Sequence, residues 1–372
     1  MLQAHKPLRV LVVDDTIVYR KSVSDIIEGI PGVELAGVAH NGQIALEKIR
    51  RLQPDLLTLD IEMPVMNGLE VLAQLRRHYP GIGVVMVSTL TADGSEMTLK
   101  ALELGAFDFI LKPQSRNLAE GKKEIRSLLE PVLQAYIRSS QYRLATCCRT
   151  LAARPPTPPG KSCRNPVKPI LSQPVLTRPR VKSAIVTIGI STGGPNALGQ
   201  VLPQLPNDLG VPLLIVQHMP PLFTRSLATS LDKKCALHVK EAEDRETIQP
   251  NVVYIAPGGR QMKLHAAADG HQRIIKITDD PPENSCRPSA DYLFRSVADY
   301  YLGRTTAVIM TGMGTDGTEG LAILKSKGAY VIAQDEPSCV VYGMPKAPTE
   351  RGYVDMVAPL DRIAEEIVKS VR

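Results

Sequence analysis

Short aliphatic runs of four to seven residues recur along this 372-residue chain, and most are followed by an amphipathic stretch. That alternation is the strongest constraint on what the chain can become, because buried parallel strands read as continuous Val, Ile and Leu runs with helices between them. Composition agrees with it. The chain has no Trp and only 4% aromatic residues, so aliphatic side chains must fill the interior. In the first part, runs at 8–13, 33–39, 55–59, 82–87 and 107–110 alternate with helical patterns near 16–28, 42–52, 68–78, 95–104 and 118–137. Five such units predict a doubly wound α/β domain with strand order 2-1-3-4-5.

Residues 138–182 interrupt the pattern. Eight of the 26 residues from Arg154 to Pro179 are proline, and apolar periodicity vanishes, so a semi-extended linker is expected. From 183 the runs return at 184–190, 211–217, 251–256, 273–277, 306–310 and 330–333. They predict a second α/β domain over 183–372, after a first over 1–137. The expected architecture is therefore two doubly wound parallel-sheet domains joined by a Pro-rich linker.

Charge and cysteine usage narrow the class. The net charge is +6, yet residues 138–182 carry ten Lys and Arg and no Asp or Glu, so the predicted domains are mildly acidic. Nothing interleaves aromatic with basic residues, which argues against a nucleic-acid partner. The six Cys show no C-x-x-C pair or zinc-ligand spacing and read as reduced intracellular thiols, with Cys147 and Cys148 having no evident role. No apolar run approaches 18 residues and no secretory h-region is visible, so a cytoplasmic protein without membrane insertion is expected.

Functional groups of a parallel sheet belong just beyond the carboxyl ends of its strands. In the first domain those positions hold Asp14, Asp15, Asp60, Ser88 and Lys112. Three carboxylates crowded at one edge repel unless a hard cation lies among them, and oxygen ligands suit Mg²⁺. A carboxylate such as Asp60 can form an acyl phosphate, with Lys112 and Ser88 placed for the phosphate oxygens. In the second domain, Gly189-Ile190-Ser191-Thr192-Gly193 makes a G-x-S-x-G turn, the next run ends at His218, and the 306–310 run enters a loop containing Asp316. A hydroxyl, an imidazole and a carboxylate at strand ends of one sheet can converge as a triad. A rival reading is Gly312-x-Gly314-x-x-Gly317 with Asp335 downstream, a dinucleotide fingerprint. Asp316 opposes it by setting a carboxylate where pyrophosphate would lie. A controlled module that only binds a nucleotide or a partner is the alternative to an enzyme.

The motifs V-V-D-D, L-D-I-E-M-P-V-M-N-G (59–68), M-V-S and L-K-P resemble a two-component receiver domain. That resemblance implies phosphorylation of Asp60 by a histidine kinase of the CheA kind. It implies Mg²⁺ held by Asp15, Asp60 and the Glu62 backbone carbonyl with Asp14 assisting, and Phe109 as the switch aromatic. G-I-S-T-G-G-P, Q-H-M-P, E-A-E-D, V-Y-I-A-P-G-G, R-P-S-A-D-Y-L-F-R-S-V-A, T-G-M-G-T-D-G and I-A-Q-D-E-P-S-C-V-V-Y-G-M-P-K resemble the CheB methylesterase domain. This implies Ser191 as nucleophile, His218 as base and Asp316 as orienting acid, with Thr192 and Met313 as active-site neighbours. The implied substrates are glutamate methyl esters, and some glutamines, on methyl-accepting chemoreceptors. The catalytic domain is expected to need no cofactor, and the chain to be a monomer. Gln261, Arg245, Asn251 and Ser285-Cys286 depart from the family pattern.

Overall fold

The computed structural model describes residues 6–113, 117–152, 181–268 and 270–372. The N-terminal domain runs β1 (Leu8–Val13), α1 (Ile17–Glu28), β2 (Val33–Ala39), α2 (Gly42–Leu52), β3 (Leu56–Asp60), α3 (Gly68–His78), β4 (Gly83–Ser88), α4 (Ala92–Glu103), β5 (Asp108–Leu111) and α5 (Leu118–Ala152). The five strands pair in parallel in the order β2-β1-β3-β4-β5, as expected. All five residues of β3 are buried, since helices cover both faces of the sheet. Asn67 starts α3 by reciprocal capping: its side chain accepts from the Glu70 amide at 2.9 Å, and the Glu70 carboxylate accepts from the Asn67 amide at 2.9 Å. Gly68 is required there, because a Cβ would lie 2.2 Å from the Asp60 carbonyl oxygen.

α5 continues to Ala152, past the expected end of the domain at 137. Residues 138–152 contain no proline, so nothing in the backbone chemistry stops the helix before the proline run. That run, Arg154–Pro179, lies outside the described residues, as does Cys163; of Cys147 and Cys148 only the backbone is described.

The C-terminal domain continues with β6 (Ile185–Ile190), α6 (Gly194–Val201), β7 (Leu213–Gln217), α7 (Phe223–Asp232), β8 (His238–Glu241), β9 (Val252–Ile255), β10 (Gln261–Ala266) and β11 (Arg273–Thr278). It closes with α8 (Ala290–Tyr301), β12 (Thr305–Ile309), α9 (Thr318–Ser326), β13 (Tyr330–Gln334), α10 (Lys346–Glu350), β14 (Met356–Ala358) and α11 (Ile363–Val371). Seven strands form a parallel sheet in the order β14-β13-β12-β6-β7-β9-β8. The 273–277 run does not join it; β11 pairs antiparallel with β10 in a separate two-stranded ribbon. Arg245 and Asn251, two of the departures from the family pattern, have φ of 66° and 64°. These are left-handed turns where glycine is the easiest choice.

The two domains pack directly on each other, α4 and β5 meeting α6 and α7. Phe109 stacks on Phe223 with centroids 4.8 Å apart. Ser95 Oγ lies 2.7 Å from Ser226 Oγ, and Glu103 accepts from Ser230 and from Lys234. Among the described residues, no helix is long and apolar enough to cross a membrane.

Candidate active site

At the carboxyl edge of the first sheet the structure gathers Asp14, Asp15 and Asp60, their oxygens within 4.8 Å of one another. Asp14 and Asp60 are buried and Asp15 is exposed. Lys112 Nζ lies 2.9 Å from Asp14 Oδ2 and 2.7 Å from Asp60 Oδ2. Burial pushes the Asp60 carboxyl up to about 6; Lys112 opposes that rise, while Asp14 and Asp15 add to it. Burial would lower the Lys112 ammonium, but Asp60 and Asp14 outweigh it and hold the group above its ordinary value. Glu62 and Ser88 line the same pocket. The Ser88 hydroxyl is turned toward the start of α4, donating to backbone carbonyls there and accepting from Thr98 Oγ1 at 2.8 Å. Phe109 faces the other domain through its stack on Phe223.

At the carboxyl edge of the second sheet, β6 delivers Ser191 to the start of α6, and β7 delivers His218 beside it. The His218 amide donates to the Ile190 carbonyl at 3.1 Å, and the Gln217 side chain donates to the Ser191 carbonyl at 3.0 Å. Gly193, with φ of 77°, makes the sharp strand-to-helix turn. The loop after β12 presses close: a Cβ on Gly312 would sit 2.8 Å from the Ser191 Cβ. Only a residue without a side chain admits that approach.

His218 Nε2 is 2.8 Å from Asp316 Oδ2. Asp316 is buried and well supplied with donors. Ser289 Oγ donates at 2.7 Å, and the Ala290 and Asp291 amides opening α8 donate at 2.6 and 3.3 Å. Asn284 Nδ2 adds a contact at 3.3 Å. Burial would raise this carboxyl, but His218, Ser289 and the Ala290 amide outweigh it and hold it well below the usual carboxylate range. Burial would likewise lower the His218 imidazolium. The bonds to Asp316 and Cys286 win, and the group is pushed up to about 9. The second ring nitrogen, Nδ1, faces Cys286 Sγ at 3.6 Å.

Ser191 and His218 share the wall of a cavity of about 220 Å³ with Thr192, Asp108, Phe109 and Leu111, so the N-terminal domain closes over it. Thr192 Oγ1 donates to Asp108 Oδ2 at 2.8 Å across the domain boundary. Asp108 is raised to about 6 by burial, which outweighs its bonds to the Phe109 amide and Thr192. Met313 is not on this cavity; it lines a neighbouring groove with Ala135, Arg138 and Val340. Gln261, another departure, accepts from the Ser289 amide at 2.9 Å and donates to the Pro281 carbonyl, so it anchors the loop that supplies Ser289 to Asp316. Sequence reasoning missed Asn284, Ser289 and Asp108, and marked Cys286 only as a departure from the family pattern, not as a neighbour of His218. Only Ser289 carried a local signal, as the residue before a helical pattern with Asp in its first turn.

The fold and these two strand-end sites define a response regulator coupled to a hydrolase-type domain. Residues 10–122 match the response regulator receiver domain, and residues 186–367 match the CheB methylesterase. A Desulfotalea psychrophila protein named protein-glutamate methylesterase/protein-glutamine glutaminase is 59% identical over 99% of both chains. Relatives of the same name from Halalkalibacterium halodurans and Bacillus subtilis are each 43% identical over 98% of this chain and 99% of their own. The chain belongs to the CheB methylesterase family, with a receiver domain at its N-terminal end.

Proposed function

We propose that this protein hydrolyses glutamate γ-methyl esters on chemoreceptors, and deamidates some receptor glutamines, under control of phosphorylation at Asp60. Ser191 Oγ attacks the ester carbonyl and its proton passes to His218. Because Nε2 is held by Asp316, the accepting nitrogen is Nδ1. Asp316, fixed by Ser289 and the first amides of α8, keeps the ring oriented and stabilises the imidazolium. The oxyanion forms near the Thr192 amide at the N-terminal end of α6, where backbone dipoles favour negative charge. Methanol takes the proton and leaves, and water then hydrolyses the glutamyl-enzyme, regenerating the serine. A glutamine substrate follows the same course with ammonia as leaving group. The single observation that supports this most is the 2.8 Å His218–Asp316 contact on the wall of the cavity that Ser191 lines.

In the receiver, Asp14, Asp15, Asp60 and the Glu62 carbonyl would hold Mg²⁺; three carboxylates and a carbonyl are the hard oxygen donors that ion prefers. Bound there, it neutralises charge on an incoming phosphoryl group. Asp60 is the acceptor, Lys112 and Ser88 bind phosphate oxygens, and a histidine kinase is the phosphodonor. In the unphosphorylated chain, β5 and α4 cover the Ser191 cavity. When a phosphoryl group on Asp60 draws on Lys112 and Ser88, β5 and Phe109 shift and the covered population falls.

Two assays test this reading. Ser191→Ala should abolish methanol release from methylated receptor membranes while receptor binding persists; unchanged release would defeat the esterase assignment. Residues 183–372 alone should be faster than the unphosphorylated full chain, and equal rates would defeat inhibition by the receiver.

A further inference from the structure

We propose that Cys286 and His218 form a binding site for a thiophilic divalent cation such as Zn²⁺, and that its occupation shuts off the esterase. Cys286 Sγ lies 3.6 Å from His218 Nδ1. Zinc–sulfur and zinc–nitrogen distances of about 2.3 and 2.1 Å at a tetrahedral angle put the two ligands about 3.6 Å apart. The thiol and the imidazole are therefore already spaced as neighbouring ligands, and a cation would replace the hydrogen bond between them. The outer partner is also in place, since Asp316 grips His218 Nε2 at 2.8 Å. A carboxylate on the far ring nitrogen orients a metal-bound histidine and raises its basicity.

Apart from the receiver carboxylates, this is the other cluster of metal-ligating side chains among the described residues. The two would select different ions. Three carboxylates favour Mg²⁺, whereas a thiolate with an imidazole favours Zn²⁺. On binding, the Cys286 thiol and the His218 imidazolium each lose a proton to solvent, the cation takes the thiolate and the freed Nδ1 lone pair, and water completes the coordination. The same lone pair must accept the Ser191 proton, so the cation acts as an inhibitor and not as a cofactor. Cys286 comes from the loop before α8, 68 positions from His218, which hides the pair from any search for sequence spacing.

The inhibitory half of this inference rests on the esterase reading; the binding half does not. The test uses chelator-treated full-length protein titrated with Co²⁺, then with Zn²⁺, alongside Cys286→Ser and Cys286→Ala. Co²⁺ should give a thiolate-to-metal absorption band in the wild type that is absent from both variants and displaced by Zn²⁺. Carboxylate-bound Co²⁺ at the receiver gives no such band. Methanol release should be inhibited by Zn²⁺, each protein being normalised to its own metal-free rate. Loss of a ligand should raise the half-inhibitory concentration about tenfold or more. A wild type without the band, or equal Zn²⁺ sensitivity in all three proteins, overturns the proposal. Should the metal-free wild type release no methanol, the functional reading fails on its own, and the Co²⁺ band still decides the site.

Discussion

Asp60 ends β3 and Asp316 lies in the loop after β12, both buried at the carboxyl edge of a parallel sheet, yet their surroundings drive them in opposite directions. Asp60 has Lys112 as its cation and two further carboxylates nearby, and burial wins, pushing it up to about 6. Asp316 receives Ser289 Oγ, two α8 amides and the His218 ring, and those donors win, holding it far below the usual range. Fold position alone therefore does not assign a role. A carboxylate with unspent electron density and a cation pocket is set up to be attacked by, or to attack, an electrophile. One saturated by hydrogen bonds can only orient and stabilise its neighbour.

The largest expected effect breaks the hydrolase half of that contrast. Ser191→Ala should lower the rate of methanol release about 10⁴-fold or more, as removal of a triad nucleophile does; a drop of less than tenfold would mean another group attacks. The pH profile comes next. His218 sits above its ordinary value, so at pH 7 most of it is imidazolium and cannot take a proton. The base form appears only as pH rises toward about 9. Rates of the unphosphorylated chain should therefore climb about tenfold per unit through pH 7–8 and level off only above about pH 9; a flat profile from pH 7 upward contradicts the ion pair. A smaller effect sharpens the link between the halves. Asp108→Ala removes the acceptor of the Thr192 hydroxyl, a bond to a charged group worth about 1.5–3 kcal/mol. Basal methanol release should rise about tenfold, and no change would show that this contact does not hold the domains closed. Smallest is Ser289→Ala, which leaves Asp316 its α8 amides. It should cost a few-fold in rate, at about 1 kcal/mol for one hydrogen bond.

Much of the receiver was legible in the sequence because its inner strands β1, β3 and β4 are aliphatic runs buried on both faces, and the residues singled out around Asp60 sit at or just past strand ends. The second domain was harder. β8 (His-Val-Lys-Glu) and β10 (Gln-Met-Lys-Leu-His-Ala) mix polar with apolar residues and give no continuous aliphatic run, and β14 is three residues long. The 273–277 run looked like a sheet strand, and only tertiary pairing sends β11 to β10. Ser191, His218 and Asp316 could be picked out as strand-end residues. The groups that tune them could not, because Ser289, Asn284 and Cys286 come from a loop whose approach to Asp316 and His218 depends on Gln261 and the placement of α8. Asp108 was invisible for another reason: its partner Thr192 lies in the other domain.

The most direct measurement is methanol release from methylated receptor membranes by the full chain, with Mg²⁺ and with or without a small-molecule phosphodonor, beside Asp60→Asn. The account predicts that the phosphodonor accelerates the wild type and leaves Asp60→Asn at its basal rate. Acceleration of both proteins alike, or of neither, would contradict it.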